Sequence, residues 1–136
     1  MRLYLAGPMS GYQQFNFPAF DAAAAKLREQ GYEVVSPAEL DSPKFRARVL
    51  TAIGTEKDLL GEWGNCLARD VKLIADSGIE AIVLLRDWHK SRGAKLEAFI
   101  GLLCRLKFGL YDPGQIGFVM PIERELVIRV ISEHMK

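Results

Sequence analysis

The stretch "IEAIVLL", residues 79–85, limits the possible folds more than any other part of the chain. It is apolar nearly throughout, where a strand with one wet face would alternate. Such a run is buried on both sides, as in a parallel sheet covered by helices. Its surroundings agree. Residues 2–6, "RLYLA", read as a short strand ending at Gly7-Pro8. Asn16 and Pro18 mark a helix start, and "FPAFDAAAAKLREQ" gives an alanine-rich helix closed by Gly31. "YEVVSP" reads as a strand stopped by Pro37. "EWGNCLARDVKLIADS" is a helix, and another is expected from about Gly93 to Phe108. The C-terminal portion, 110–136, completes the chain: "GLYD" and "GFVMPI" are short strand candidates, and "IERELVIRVISEHM" is a closing amphipathic helix. Strands alternating with helices predict one α/β domain over 1–136, an open parallel sheet with helices on both faces. Residues 38–61 fit less easily. They hold Pro43, Gly54 and Gly61 beside Lys44, Arg46 and Arg48, and read either as a solvated surface helix or as a mobile cover.

Composition narrows the partners. The 136 residues suit one compact domain, with 49% hydrophobic and 26% charged residues as in ordinary soluble proteins. A formal net charge of +1 gives no footprint for duplex nucleic acid or an anionic membrane. No apolar run approaches the ~20 residues of a membrane helix. "MRLYLAGPMSG" lacks a signal-peptide core, so a cytoplasmic location is expected. Cys66 and Cys104 fall in apolar helical stretches and read as buried free thiols. His89 and His134 are isolated, so neither a metal nor a cofactor is expected.

Ligands of open parallel sheets bind beyond the carboxyl ends of the strands, and three features gather there. In "AGPMSG", Gly7 and Gly11 allow close backbone approach and Ser10 offers a hydroxyl, although a plain tight turn explains the loop equally. In "SRGA", residues 91–94, a helix start suits a phosphate, and Ser91 either caps the helix or binds the anion. The third feature is a pair of acids. Glu97 has no Lys or Arg three or four residues away, and its helical neighbours Gly93, Ile100 and Gly101 are small or apolar. It is either a helix-dipole acid or part of a cleft wall. Asp70 falls on the apolar stripe of Trp63, Leu67 and Ile74, where a carboxylate needs a partner or a polar site. Two carboxylates in one apolar cleft beside a phosphate cradle point to glycosidic chemistry, with their pKa values split by environment.

The stretches "YLAGPMSG" (4–11), "ARD" (68–70) and "IVLLRDWHKSRGAKLEAFIG" (82–101) resemble the nucleoside 2-deoxyribosyltransferase superfamily, most nearly its 2'-deoxynucleoside 5'-monophosphate N-glycosidases. The resemblance implies a flavodoxin-like (Rossmann-like) sheet and a retaining mechanism. Glu97 matches the nucleophile that forms a glycosyl-enzyme intermediate, and Asp70 the acid that assists base departure and then activates water. Ser91 and Gly93 match the 5'-phosphate loop, and Gly7 and Ser10, with Met9 between them, the first-strand loop. Tyr4 either borders the nucleotide or lies in the core. The Arg that follows the corresponding loop in those hydrolases is absent, and Lys90 and Arg92 are candidates to replace its charge. Trp88 is either a surface for stacking on a base or a rim or interface residue. The resemblance also implies a homo-oligomer, a dimer or higher, with Tyr12, Phe15, Phe17 and Trp63 as candidate interface aromatics. The expected activity is release of free base from a nucleoside monophosphate. The alternatives are base exchange and a non-catalytic nucleotide-binding protein.

Overall fold

The computed structural model describes residues 1–40, 63–112 and 118–135. Its strands are β1 (Arg2–Ala6), β2 (Glu33–Val35), β3 (Ala81–Leu84), β4 (Lys107–Asp112) and β5 (Phe118–Ile122). Its helices are α1 (Phe17–Glu29), α2 (Trp63–Asp76), α3 (Arg92–Leu103) and α4 (Arg124–Glu133). Short 3-10 turns occupy Gln13–Asn16, Pro37–Glu39 and Trp88–Lys90. Of the 38–61 excursion, residues 41–61 lie outside the described residues.

The strands form one sheet in the order β2-β1-β3-β4-β5, the flavodoxin-like arrangement. Side chains alternate across it. Leu3 and Leu5 of β1 face the core under α1, with Phe20, Ala23 and Leu27. Tyr4 and Ala6 face the opposite core, built with Ile74, Ala98, Leu102, Val127 and Ile131 of the other helices. Helices therefore cover both faces, and all four residues of β3 are buried.

The structure corrects several expectations. The sheet is not wholly parallel, because β5 runs antiparallel to β4, pairing Gly109 with Pro121. Too few residues separate Asp112 from Phe118 for the crossover of a dozen or more that a parallel pair needs. The helix expected to reach Phe108 ends at Leu103. Arg105 takes a left-handed φ of 58° there. Its N–H donates to the Leu102 carbonyl at 3.1 Å, and the Leu106 N–H donates to the Gly101 carbonyl at 2.9 Å. That is a Schellman cap with arginine where glycine is usual, so no glycine marked the end. Cys104 caps α3 as an exposed thiol, and Cys66 is only half-buried; neither forms a disulfide among the described residues. Phe17 is buried in the core beneath α1, not on an outer face, and Phe15 packs against that core. Among the described residues, no helix is long and apolar enough to cross a membrane.

Candidate functional site

In this strand order the ligand crevice lies at the carboxyl ends of β1 and β3, whose neighbours depart to opposite sides. Those ends are tied tightly. The Leu85 N–H donates to the Ala6 carbonyl at 2.8 Å. A Cβ on Gly7 would lie 2.8 Å from Leu85 Cβ, so glycine here is required by packing between the strand ends. Beyond Gly7, Met9 packs against the core under α1 and Ser10 is exposed. The Tyr12 hydroxyl makes a long 3.4 Å bond to Asp87 Oδ2, linking the loop after β1 to the turn after β3.

From that turn the chain enters α3 through Ser91. The Ser91 hydroxyl accepts the Ala94 N–H at 3.1 Å, so Ser91 is the N-cap. Capping orients the first turn, where N–H groups lack intrahelical acceptors. Gly93 lies in that turn.

One turn further on, Glu97 points inward and is 6% exposed. Small residues let it reach the sheet. A Cβ on Gly101, one turn along the same stripe, would lie 2.3 Å from Ile82 Cδ1 and 3.1 Å from Phe108 Cζ. Only glycine lets α3 settle this closely on β3 and β4. Glu97 Oε2 thereby accepts a short hydrogen bond from the hydroxyl of Tyr4, a residue wholly buried in β1.

Asp70 in α2 is 8% exposed and belongs to the same cluster. Its Oδ1 accepts from Arg69 Nε at 3.0 Å, and Arg69 Nη2 reaches the Pro37 carbonyl at 3.5 Å. Burial, and then the negative charge of Asp70, push the Glu97 carboxyl up from an ordinary 4.5 to about 8. The Tyr4 hydrogen bond and the Arg69 charge oppose that rise. Burial, reinforced by the charges of Glu97 and Asp70, drives the Tyr4 phenol well above its ordinary value, so it is a neutral donor. The arrangement can hold one proton among two carboxyl groups and can present a carboxylate or a carboxylic acid in an apolar setting.

The sequence-predicted residues thus divide. Tyr4, Asp70 and Glu97 come together, and Ser91 and Gly93 form the start of the helix that carries Glu97. Trp88 does not offer an open stacking face: it is 6% exposed and packs in the core with Tyr4 and Ala94. Arg92 points away from Glu97, since it lines the groove between α3 and α4 on the other side of the helix. Lys90 pairs with Asp87 at 3.6 Å on the surface. Arg69 is the residue that the sequence reading missed. Adjacent helical positions diverge by about 100°, so neighbourhood in "RD" gave no sign of the ion pair. Among the described residues, no group of three His, Cys, Asp or Glu side chains could hold a metal ion.

An α/β domain of flavodoxin-like topology, with a buried acid pair beside the strand ends, is the class that this geometry defines. Residues 1–108 match the family model described as "Domain of unknown function (DUF4406)", and the chain belongs to that family. No curated protein matches it significantly.

Proposed function

We propose that the protein hydrolyses the N-glycosidic bond of a (deoxy)nucleoside 5'-monophosphate, releasing free base and (deoxy)ribose 5-phosphate. The observation that carries this reading is the buried, electrostatically coupled pair of Glu97 and Asp70, with Tyr4 bonded to Glu97. In this mechanism the ionised Glu97 attacks the anomeric carbon and the C–N bond breaks as Asp70 donates a proton to the departing base. Asp70 then takes a proton from water as the water attacks the glycosyl-Glu97 ester. Near neutral pH the pair shares a proton, and the reactive microstate has it on Asp70. Tyr4 steadies the charge that appears on Glu97, because its hydrogen bond favours the ionised form. The N–H groups at the start of α3 would take the 5'-phosphate.

A second reading is favoured by the Arg69–Asp70 ion pair. Glu97, raised to about 8, keeps its proton near neutral pH and gives it to the base, while Asp70, bonded to Arg69, directs water. A 2-fluoro-sugar nucleotide separates the two readings. Attack by Glu97 leaves a trapped sugar on the peptide containing it, and water attack leaves none.

The first test is chromatographic detection of free base from each common nucleoside monophosphate, with Glu97→Gln alongside. Release by the wild-type protein and not by the variant supports the glycosidase. Exchange that requires an added second base makes the protein a transferase. Nucleotide-induced thermal stabilisation without release from any substrate overturns the catalytic reading in favour of a nucleotide-binding protein.

A further inference from the structure

The chain has two histidines, and the fold brings them together. Each looks isolated in the sequence, yet the ring centroids of His89 and His134 lie 4.7 Å apart, with the planes tilted by 46°. Both backbones are fixed. His89 is the middle residue of the Trp88–Lys90 turn, where the Lys90 N–H donates to the Asp87 carbonyl and the Ser91 N–H to the Trp88 carbonyl. The buried Trp88 meets the His89 ring edge to face at 6.4 Å. His134 ends α4, where its N–H donates to the Val130 carbonyl at 3.1 Å. Its own carbonyl accepts from Lys95 Nζ of α3 at 3.0 Å. His89 is half-buried and His134 is exposed, so the pair is open to solvent.

The separation suits chelation. An imidazole nitrogen bound at about 2.0–2.1 Å puts its ring centroid about 3.2 Å from a metal ion, so centroids 4.7 Å apart subtend about 95° at the ion. That angle falls between the right angle of tetragonal or octahedral ions and the tetrahedral angle. The surrounding charges narrow the choice of ion. Asp87 lends negative charge beside His89, whereas Lys90 and Lys95 lend positive charge. A hard cation held by charge alone gains little there. A late transition cation, which bonds to imidazole nitrogen itself, is the class that fits.

We propose that His89 and His134 form a two-imidazole binding site for a divalent cation of the Cu2+, Ni2+ and Zn2+ class. Each ring gives one nitrogen, and water fills the remaining positions of the ion. One ligand comes from the turn that leads into α3 and the other from the end of α4, so the ion clasps these two elements together. Lys95 already ties α3 to the same end of α4, and the ion strengthens that junction. The site stands independently of the proposed activity.

Calorimetric titration of the full chain, without an affinity tag, with Cu2+, Ni2+, Zn2+ and Mg2+ tests the proposal. The expected result is one ion per chain, tightest for Cu2+ and absent for Mg2+, with a rise in melting temperature that a chelator reverses. His89→Gln and His134→Gln should each weaken binding about tenfold or more, because a lone imidazole loses the second, intramolecular contact. His134 is exposed, so its replacement tests the site even if His89→Gln disturbs the half-buried turn. Replacing Cys66 and Cys104 by serine should leave binding as in the wild type. No binding of Cu2+ by the wild-type chain at about 100 μM overturns the proposal. Binding that His134→Gln leaves unchanged overturns it, and so does binding lost with the cysteines, since a thiol then holds the ion. One ion per two chains overturns the clasp within a single chain.

Discussion

The hydroxyl of Tyr4 donates to Glu97 Oε2 across 93 residues of sequence, joining the central strand β1 to the inner side of α3. The bond explains how a carboxyl group persists in an apolar core. It supplies a donor to one oxygen, and it stabilises the charged form against burial and against Asp70.

The proton on Glu97 makes stability depend on pH. Below about 4.5 the carboxyl is protonated whether or not the chain is folded. Between about 4.5 and about 8 only the folded chain keeps the proton, so rising pH destabilises the fold. Above about 8 the loss is complete, on the order of 5 kcal/mol if nothing else titrates with it. Thermal melts should fall from about pH 6 to about pH 9, and Glu97→Gln should flatten most of that slope.

Changing the neighbours should move the same transition in opposite directions. Asp70→Asn removes a charge that raises the Glu97 carboxyl, so the pH of stability loss should drop. Tyr4→Phe removes a bond that lowers it, so the transition should move up. Melting curves recorded across pH for both variants give the two signs directly.

Ser91 separates capping from binding. Ser91→Ala should destabilise the protein by about 1 kcal/mol, because the Ala94 N–H loses its acceptor. Ser91→Asp should keep that stability, since aspartate also caps. If the start of α3 holds a phosphate, the added charge should at the same time remove nucleotide-induced stabilisation. Calorimetry with and without nucleoside monophosphate tests both statements.

The close seat of α3 on the sheet can be measured through Gly101. Gly101→Ala should destabilise by about 1–3 kcal/mol, because the new methyl meets Ile82 Cδ1. Ile82→Val shortens the obstructing side chain, so the double variant should lose less than the two single losses combined. Denaturant unfolding of the four proteins closes the cycle.

Much of this fold was legible in the sequence, because binary patterning is strong in its centre. The apolar run at 79–85 became a fully buried β3, and "RLYLA" became β1 with matching bounds. The acids Asp70 and Glu97 stood out because they interrupt apolar stripes, and both are buried. What escaped depended on three-dimensional contacts. The end of α3 rests on a left-handed arginine, a conformation that arginine rarely takes and that its identity does not announce. The direction of β5 follows from connection length and pairing, not from its own residues. "RLYLA" contains no trace of Glu97, so the sequence alone does not separate a core role for Tyr4 from a site role. Neither a stacking nor a rim role fits Trp88, since its large apolar ring fills the core beside Ala94.

The Tyr4–Glu97 bond also joins distant parts of the chain. Its donor precedes its acceptor by 93 residues of sequence, with β2 and β3 between them. β1 lies between β2 and β3 in the sheet, and α3 reaches it through the Tyr4–Glu97 bond. Such distant contacts form late, after the entropy of closing long loops has been overcome. The raised proton affinity of Glu97 is therefore a property of the assembled strand and helix together, which neither segment has by itself.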